Sequence, residues 1–297
     1  MNQPYARALT LLQERATFSA DKPDETPETT ARALWFRAAG QPRSIGRLEA
    51  QLPALDDVGA RRFESLVDRR LGGEPLAYLT GVESFIGLEF QVGPGALIPR
   101  RETELLGRAV IELLSAPGLP APRILDLCTG SGNLAVALAV RLPQAMVWAT
   151  DLESEAVRIA GENARLHGVQ DRIVLLQGDL FAPVEQLVPS PAPFDLIVCN
   201  PPYIPSRKAR AMPADVGGHE PTAAFDGGDF GVSILFRLIA GAPVLLTPGG
   251  WLCFEFGAGQ GPYLEKRIAA NGSYHEVRVI NDQAGMARAV LARRVAG

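Results

Sequence analysis

The segment Val198-Cys199-Asn200-Pro201-Pro202-Tyr203-Ile204-Pro205 is the part of the chain most committed to chemistry. Two consecutive prolines fix φ and exclude helix, so this stretch is a stiff extended loop. The Pro201 carbonyl then has no intrahelical partner. Asn200 adds a side-chain carbonyl and Tyr203 an aromatic wall. Two oxygen acceptors beside a flat face suit a planar NH₂ group. Asn200, Pro201, Pro202 and Tyr203 are therefore the candidate catalytic and substrate-binding residues.

A second constellation is Ile124-Leu125-Asp126-Leu127-Cys128-Thr129-Gly130-Ser131-Gly132-Asn133, read as a strand that turns into a helix. Gly130 and Gly132 permit a tight turn, and the N–H groups at the start of the following helix face any ligand. The spacing of Gly130, Gly132 and Ala135, with Asp151 about 20 residues on, fits a dinucleotide fingerprint. No Gly-Lys-Ser/Thr follows, which excludes a Walker A loop. The loop alone fits NAD and S-adenosylmethionine equally. Asp126 favours the latter: its carboxylate can accept from an amino group and complement a sulfonium, whereas beside a pyrophosphate it would repel. Asp151, closing a strand, can accept both hydroxyls of a ribose, or else cap a helix starting at Glu153. Asp179 can accept from the exocyclic amine of adenine, with Leu180 packing the ring. The candidate cofactor-binding set is Asp126, Cys128, Thr129, Gly130, Ser131, Gly132, Asp151, Leu152, Asp179, Leu180 and Asn200. No metal site is expected: Cys128, Cys199 and Cys253 lie far apart with no Cys-x-x-Cys pair.

These residues need a scaffold, and its pattern is legible. Residues 1–73 read as a helical domain, with helices over Tyr5–Ala16, Thr30–Ala39 and Asp56–Leu71. The polar, proline-containing stretch 19–29 is a loop. Residues 74–99 form a linker whose Val82–Val92 segment, around Gly87, suits a β-hairpin. From residue 100 to 297 the pattern alternates. Helices are expected at Thr103–Leu114, Asn133–Arg141, Glu153–His167, Val232–Leu246 and Gln260–Ala270. Strands are expected at Arg123–Leu127, Met146–Asp151, Ile173–Gln177, Phe194–Cys199, Gly250–Phe256, His275–Asn281 and Ala287–Arg293. Seven strands with intervening helices predict an α/β, Rossmann-like, mostly parallel sheet, its last two strands forming an antiparallel edge.

The chain has 297 residues, 47% of them hydrophobic and 21% charged, with a formal net charge of −4. That composition excludes wholesale disorder. The acidic balance argues against stable nucleic-acid binding, which needs a basic face to displace counterions. No apolar run is long enough for a membrane helix, and the first residues carry no signal-peptide pattern, so a cytosolic (cytoplasmic) protein without membrane attachment is expected.

Asp126 with Cys-Thr-Gly-Ser-Gly, Asp151, and Asn-Pro-Pro-Tyr together resemble class I S-adenosylmethionine-dependent methyltransferases that act on planar nitrogens. More narrowly, the chain resembles the HemK-type protein-(glutamine-N5) methyltransferases. Residues 74–92, Leu97–Leu106 around Arg100-Arg101-Glu102-Thr103-Glu104, His219–Gly231 and Asn281–Arg294 match that family in order and spacing. The resemblance runs from about Glu74 to Arg294; the helical domain agrees only in kind. It implies an enzyme that uses S-adenosyl-L-methionine on a protein substrate: the glutamine of a GGQ motif in peptide release factors, the link to translation termination, or a glutamine in a ribosomal protein. It also implies a class I methyltransferase domain over residues 100–297, Arg100 and Glu102 near the cofactor, a substrate-docking role for the helical domain, and a monomer. Cys128 stands where the release-factor branch usually has glycine, and Arg101 where it has proline. Cys-Thr-Gly-Ser-Gly and His-Glu-Pro resemble the ribosomal-protein branch, while Leu-Ile-Pro-Arg with Glu-Thr-Glu resembles the release-factor branch.

Other readings remain open on the residues alone. A small-molecule amide or amine, or the N6 amine of adenine in nucleic acid, presents the same planar NH₂, the latter requiring base flipping and a basic surface. An NAD-dependent oxidoreductase could use the glycine loop but leaves Asn-Pro-Pro-Tyr unexplained. The three histidines, His167, His219 and His275, read as structural or solvated. Arg207, Lys208 and Arg210 form a small basic run read as a solvated loop, and Asp226-Gly227-Gly228 reads as a loop over the substrate channel or a plain connector.

Overall fold

The structure is a computed structural model that describes residues 3–19, 22–49, 51–115, 120–191, 193–211 and 219–296. Residues 20 and 21 of the expected 19–29 loop lie outside the described residues. The chain divides into two units, one built on residues up to Pro94, the other on Gly95–Ala211 and on Pro221 onward.

The first unit holds α1 (Gln3–Arg15), α2 (Pro27–Ala38), α3 (Asp57–Leu71) and a short α4 (Leu76–Thr80). Thr26 opens α2 with a capping box, exchanging hydrogen bonds with Thr29, and Pro27 occupies the first turn. Asp56 caps α3 by accepting the Gly59 amide at 2.7 Å. The buried faces meet in an aromatic centre: Trp35 packs edge-on to Phe63 with ring centroids 4.9 Å apart, and Tyr5 stacks on Phe63 at 6.4 Å. Arg70, buried, donates to Glu25 at 2.8 Å and to the Thr17 carbonyl at 3.0 Å.

The hairpin forms as β1 (Val82–Phe85) and β2 (Leu88–Gln91), turning on Ile86 (φ 48) and Gly87 (φ 72). Both turn residues lie in the left-handed region, as a type I′ turn demands. The hairpin belongs to the helical unit. Glu89 accepts the Ser44 amide at 2.8 Å and its hydroxyl at 3.0 Å, and Arg47 donates to the Gly87 carbonyl at 2.8 Å.

The second unit is a seven-stranded sheet flanked by helices. Its elements are α5 (Arg101–Leu114), β3 (Arg123–Leu127), α6 (Asn133–Arg141), β4 (Met146–Asp151), α7 (Ser154–Leu166), β5 (Ile173–Gln177), α8 (Ala182–Glu185), β6 (Phe194–Cys199) and α9 (Ser206–Ala209). They continue with α10 (Ser233–Leu245), β7 (Leu246–Glu255), α11 (Gly261–Asn271), β8 (Tyr274–Asn281) and β9 (Ala287–Arg294). The strand order is β5-β4-β3-β6-β7-β9-β8. Strands β3 to β7 run parallel, and β9 is antiparallel to both neighbours. Parallel strands covered on both faces must be apolar throughout, and β6 is, with Leu196, Ile197, Val198 and Cys199 fully buried. On one face of the sheet, Phe194, Phe254 and Phe256 pack with Leu235, Leu238 and Ile239 of α10 and Leu264 and Ile268 of α11.

Element identities match the sequence pattern, with boundaries moved by a few residues. Strand β7 starts at Leu246, earlier than expected, because Leu246 pairs with Phe194 before a register shift that brings Trp251 opposite Leu196. The short helices α4, α8 and α9 are too brief to show a helical period.

Candidate active site

In an open parallel sheet, ligands bind beyond the carboxyl ends of the strands, where the strand order reverses. Here the chain starts at β3, moves outward through β4 and β5, then crosses to β6 on the other side. The reversal lies between β3 and β6. The glycine loop follows β3, Asp151 closes β4, Asp179 follows β5, and Asn200 follows β6. Four segments far apart in sequence thus emerge from four adjacent strands.

The glycine loop is held by its own carboxylates. Asp126 is completely buried; one oxygen accepts the Thr129 hydroxyl at 2.6 Å and the Ala135 amide at 3.1 Å, tying the end of β3 to the first turn of α6. Its other oxygen, Oδ1, is buried without a partner, as is the Ser131 hydroxyl. Burial pushes the Asp126 carboxyl up to about 7, against the lowering effect of those two hydrogen bonds. Asp151 accepts the Gly130 amide at 2.8 Å and the Glu153 amide at 3.0 Å, and burial raises its pKa as well. The helix after it starts at Ser154, and Glu153 occupies the N-cap. The Thr129 amide bonds the Thr150 carbonyl at 3.0 Å, and Asn163 of α7 donates to the Ser131 carbonyl at 2.8 Å.

Gly132 sits at φ 79, and a Cβ there would lie 2.9 Å from the Ala160 Cβ, so α7 can approach only a glycine. Cys128, at φ 56, adopts the same left-handed backbone with a side chain attached. That conformation suits the glycine that the resemblance to the release-factor branch leads one to expect there. Arg101 is the first residue of α5, where proline is well tolerated. The Cys128 thiol lies beside that of Cys199, which burial holds far above the ordinary thiol range.

On the β5 side the predicted residues separate. The Leu180 side chain is 4% exposed and packs in the sheet core, its backbone at φ 47, and its carbonyl accepts the Thr150 hydroxyl at 3.0 Å. Leu152 is exposed. The Asp179 carboxylate is also exposed and pairs with Arg237 of α10 at 2.7 Å.

The Asn-Pro-Pro-Tyr loop is buttressed from two sides. The Ile204 amide donates to the Phe225 carbonyl, the Gly227 amide to the Ile204 carbonyl, and the Ser206 amide to the Gly228 carbonyl, each at 2.9 Å. The stretch 225–228 is therefore strapped to the loop backbone. Asp226 accepts the Ser206 hydroxyl at 2.5 Å and the Gly228 amide at 3.0 Å. On the other side, Asn200 Nδ2 donates to the Thr103 hydroxyl at 2.9 Å. Thr103 donates to Glu255 Oε2 at 2.7 Å, and the Tyr203 hydroxyl donates to Glu255 Oε1 at 2.9 Å. Gln260 donates to the Tyr203 carbonyl at 3.1 Å. Pro201 is buried, and among the described residues no backbone N–H is donated to its carbonyl.

Thr103 and Glu255 were not among the sequence candidates. Glu255 ends the buried, otherwise apolar run Trp251–Glu255 of β7, which is a signal, but its partner Thr103 lies 152 positions away. Arg100 is the N-cap of α5 and Glu102 lies in its first turn. His167 caps the end of α7 and His275 lies in β8. Arg207 and Lys208 lie exposed on α9, with Arg210 just beyond it.

The chain is similar to known proteins along most of its length. Residues 105–214 match the model of the methyltransferase small domain, and residues 10–81 match that of the PrmC N-terminal domain. A release factor glutamine methyltransferase of Moorella thermoacetica is 42% identical over 272 residues, covering 91% of this chain and 92% of that one. One from Deinococcus radiodurans is 36% identical over 272 residues, covering 92% and 93%. Among solved structures, a methyltransferase from Pyrococcus furiosus shares the fold with a TM-score of 0.52 at 18% identity, covering 71% of this chain and 91% of that one. A glycine loop stapled by two carboxylates, an Asn-Pro-Pro-Tyr corner at the strand reversal, and this identity along nine-tenths of the sequence place the chain in the release factor glutamine methyltransferase family.

Proposed function

We propose that this protein transfers a methyl group from S-adenosyl-L-methionine to the N5 nitrogen of a protein glutamine, that of the GGQ motif in peptide release factors, in the cytosol. The observation that carries the reading is the orientation of Asn200. Its Nδ2 is engaged by Thr103, which leaves Oδ1 as the end available to an incoming NH₂ group.

The loop after β3 fits the cofactor by an independent sign. Asp126 Oδ1 and the Ser131 hydroxyl are buried polar atoms without partners, and such atoms cost free energy until a ligand or water satisfies them. Asp126, Cys128, Thr129, Gly130, Ser131 and Gly132 would hold the methionine side, Asp151 and Leu152 the ribose, and Asp179, on leaving Arg237, the amine of the base, with Leu180 buried in the sheet core behind it. Asp151 accepts one hydrogen bond at each oxygen, so each retains lone-pair capacity for a ribose hydroxyl. When bound, the cofactor supplies an electrophilic methyl on a sulfonium.

The protein's part is orientation. An amide nitrogen is a poor nucleophile because its lone pair is delocalised into the carbonyl. Asn200 Oδ1 and the Pro201 carbonyl each accept one N–H of the substrate amide, which directs the nitrogen's remaining face at the methyl. The positive charge that methylation would place on the substrate nitrogen would be stabilised by these two fixed acceptors. Orientation of this kind is worth up to roughly 7–11 kcal/mol. Pro202 keeps the corner stiff, and Tyr203 packs the glutamine stem. The proton leaves to water after transfer, so no strong base is needed. The helical unit docks the protein substrate.

The test is labelled-methyl transfer onto an intact release factor, with a ribosomal protein, duplex DNA and free glutamine as competing acceptors. Label on the GGQ glutamine is the expected result. Asn200→Ala should abolish transfer with cofactor affinity within a few-fold of wild type; surviving turnover would sink the amide clamp.

A further inference from the structure

We propose that Glu255, acting through Thr103, decides which end of the Asn200 amide faces the substrate, and is therefore a positioning residue for methyl transfer. The inference rests on the reading of Asn200 as an acceptor for the glutamine amide.

The two ends of an asparagine amide are nearly the same shape and opposite in hydrogen-bonding sense. Turned by 180°, Asn200 would present two N–H donors to a substrate that also presents N–H donors, and the clamp would repel its ligand. The contact with Thr103 at 2.9 Å does not by itself choose between the two orientations, because a hydroxyl can donate or accept. The choice is made one step further back. An ionised carboxylate has no proton to give. Glu255 Oε2, at 2.7 Å from the Thr103 hydroxyl, therefore obliges Thr103 to donate toward it. Only the lone pairs of Thr103 are then left for Asn200, which must turn its Nδ2 inward and its Oδ1 outward. Tyr203 donates to the second oxygen of Glu255 at 2.9 Å, so both oxygens receive O–H donors. Thr103 is fully buried and Glu255 is 1% exposed, so water does not compete for these bonds. The resulting chain of donors runs one way, from Asn200 to Thr103 to Glu255, and crosses from the loop after β6 to α5 to the end of β7.

Protonation of Glu255 would break this polarity, because a neutral carboxyl can donate to Thr103. Burial pushes Glu255 up to about 7, and the hydrogen bonds from Thr103 and Tyr203 oppose that shift. The charges facing it are Glu102 on α5, which raises its pKa, and Arg288 on β9, which lowers it. Arg288 is itself paired with Asp282 at 2.8 Å.

The experiment compares Thr103→Val, Thr103→Ser, Glu255→Gln and Asn200→Ala in the full chain, with single-turnover methyl transfer to an intact release factor across pH 5.5 to 8.5. Thr103→Val should lower kcat at least about tenfold, with cofactor Kd and release-factor KM within about threefold. Thr103→Ser keeps the hydroxyl and should restore most of the rate. Wild-type kcat should fall on the acid side as Glu255 protonates near pH 7, and Glu255→Gln should lack that limb. If Glu255→Gln fails to fold, the Thr103 pair alone decides. Unchanged kcat in Thr103→Val, or a failure of Thr103→Ser to recover the rate, overturns the proposal. Turnover in Asn200→Ala overturns the clamp itself. An inactive Asn200→Ala beside a fully active Thr103→Val removes only the role given to Glu255.

Discussion

Asp151 accepts the backbone N–H of Gly130 at 2.8 Å, so the carboxylate that closes β4 already grips the glycine loop that follows β3. A residue expected to meet a ribose therefore also shapes the neighbouring binding loop. Removing it should loosen both contacts at once. Asp151→Ala is expected to weaken S-adenosylmethionine binding at least about tenfold, or roughly 1.4 kcal/mol, by calorimetric titration. Saturating cofactor should recover much of kcat.

Cys128 holds a left-handed backbone at φ 56. For an L-residue with a side chain that conformation costs about 1–2 kcal/mol. Cys128→Gly removes the Cβ that causes the cost, at the expense of a more flexible unfolded chain. The net expectation is a stability gain of up to about 1 kcal/mol, read from the denaturation midpoint. Cys128→Val, branched at Cβ, should be destabilising.

Asp126 has its folded pKa raised by burial to about 7, well above its ordinary 3.8. A raised carboxyl pKa means that the folded state binds the proton more tightly. Its contribution is fully present below about pH 4 and is lost as pH rises to about 7. The rise from 3.8 to about 7 corresponds to something on the order of 4 kcal/mol. Denaturation of the cofactor-free protein should show stability falling across that window. Asp126→Asn should flatten the fall, though not remove it, because Glu255 is raised in the same direction.

Gly227 is pressed against the Asn-Pro-Pro-Tyr corner: a Cβ there would lie 2.6 Å from the Pro202 carbonyl oxygen and 2.9 Å from the Tyr203 Cα. Both neighbours are backbone and cannot swing aside. Gly227→Ala should displace the corner and cut kcat by about 10- to 100-fold. Cofactor affinity should stay near wild type. A kcat within twofold of wild type would show that the strap does not support the corner.

In the helical unit, Glu25 answers the buried Arg70 guanidinium. Removing one partner of a buried pair strands the other charge, at about 3–5 kcal/mol. Arg70 keeps the Thr17 carbonyl and the ring of Phe18, which places Glu25→Ala at the low end of that range. The check is chemical denaturation of the full chain followed by tryptophan fluorescence with Trp148 and Trp251 replaced by Phe, which leaves Trp35 as the reporter.

The parts of the site that could be read from sequence are those whose chemistry is local. Two prolines after Asn200, and glycines at 130 and 132, announce special backbone wherever they occur. The alternation of strands and helices then places their loops at the same end of one sheet. Asp126 and Asp151 were legible as carboxylates beside the loop, but not as the groups that staple it, because their amide partners are set by the turn. Thr103 and Glu255 escaped for a different reason. Their hydrogen bond joins the first turn of α5 to the end of β7, and only the sheet topology makes them neighbours. The hairpin around Gly87 was foreseen, whereas its membership in the helical unit depends on Glu89 and Arg47, two surface-type residues with no pattern of their own.

The position of β9 has a consequence for biosynthesis. This strand is made after β8 yet lies inside the sheet, hydrogen-bonded to β7 on one side and β8 on the other. While a ribosome still shelters residues 287–294, β7 and β8 have no shared neighbour and the sheet stays open on that side. The nascent catalytic unit must wait, with Phe254 and Leu252 short of cover, until its final β-strand clears the exit tunnel and slots between them.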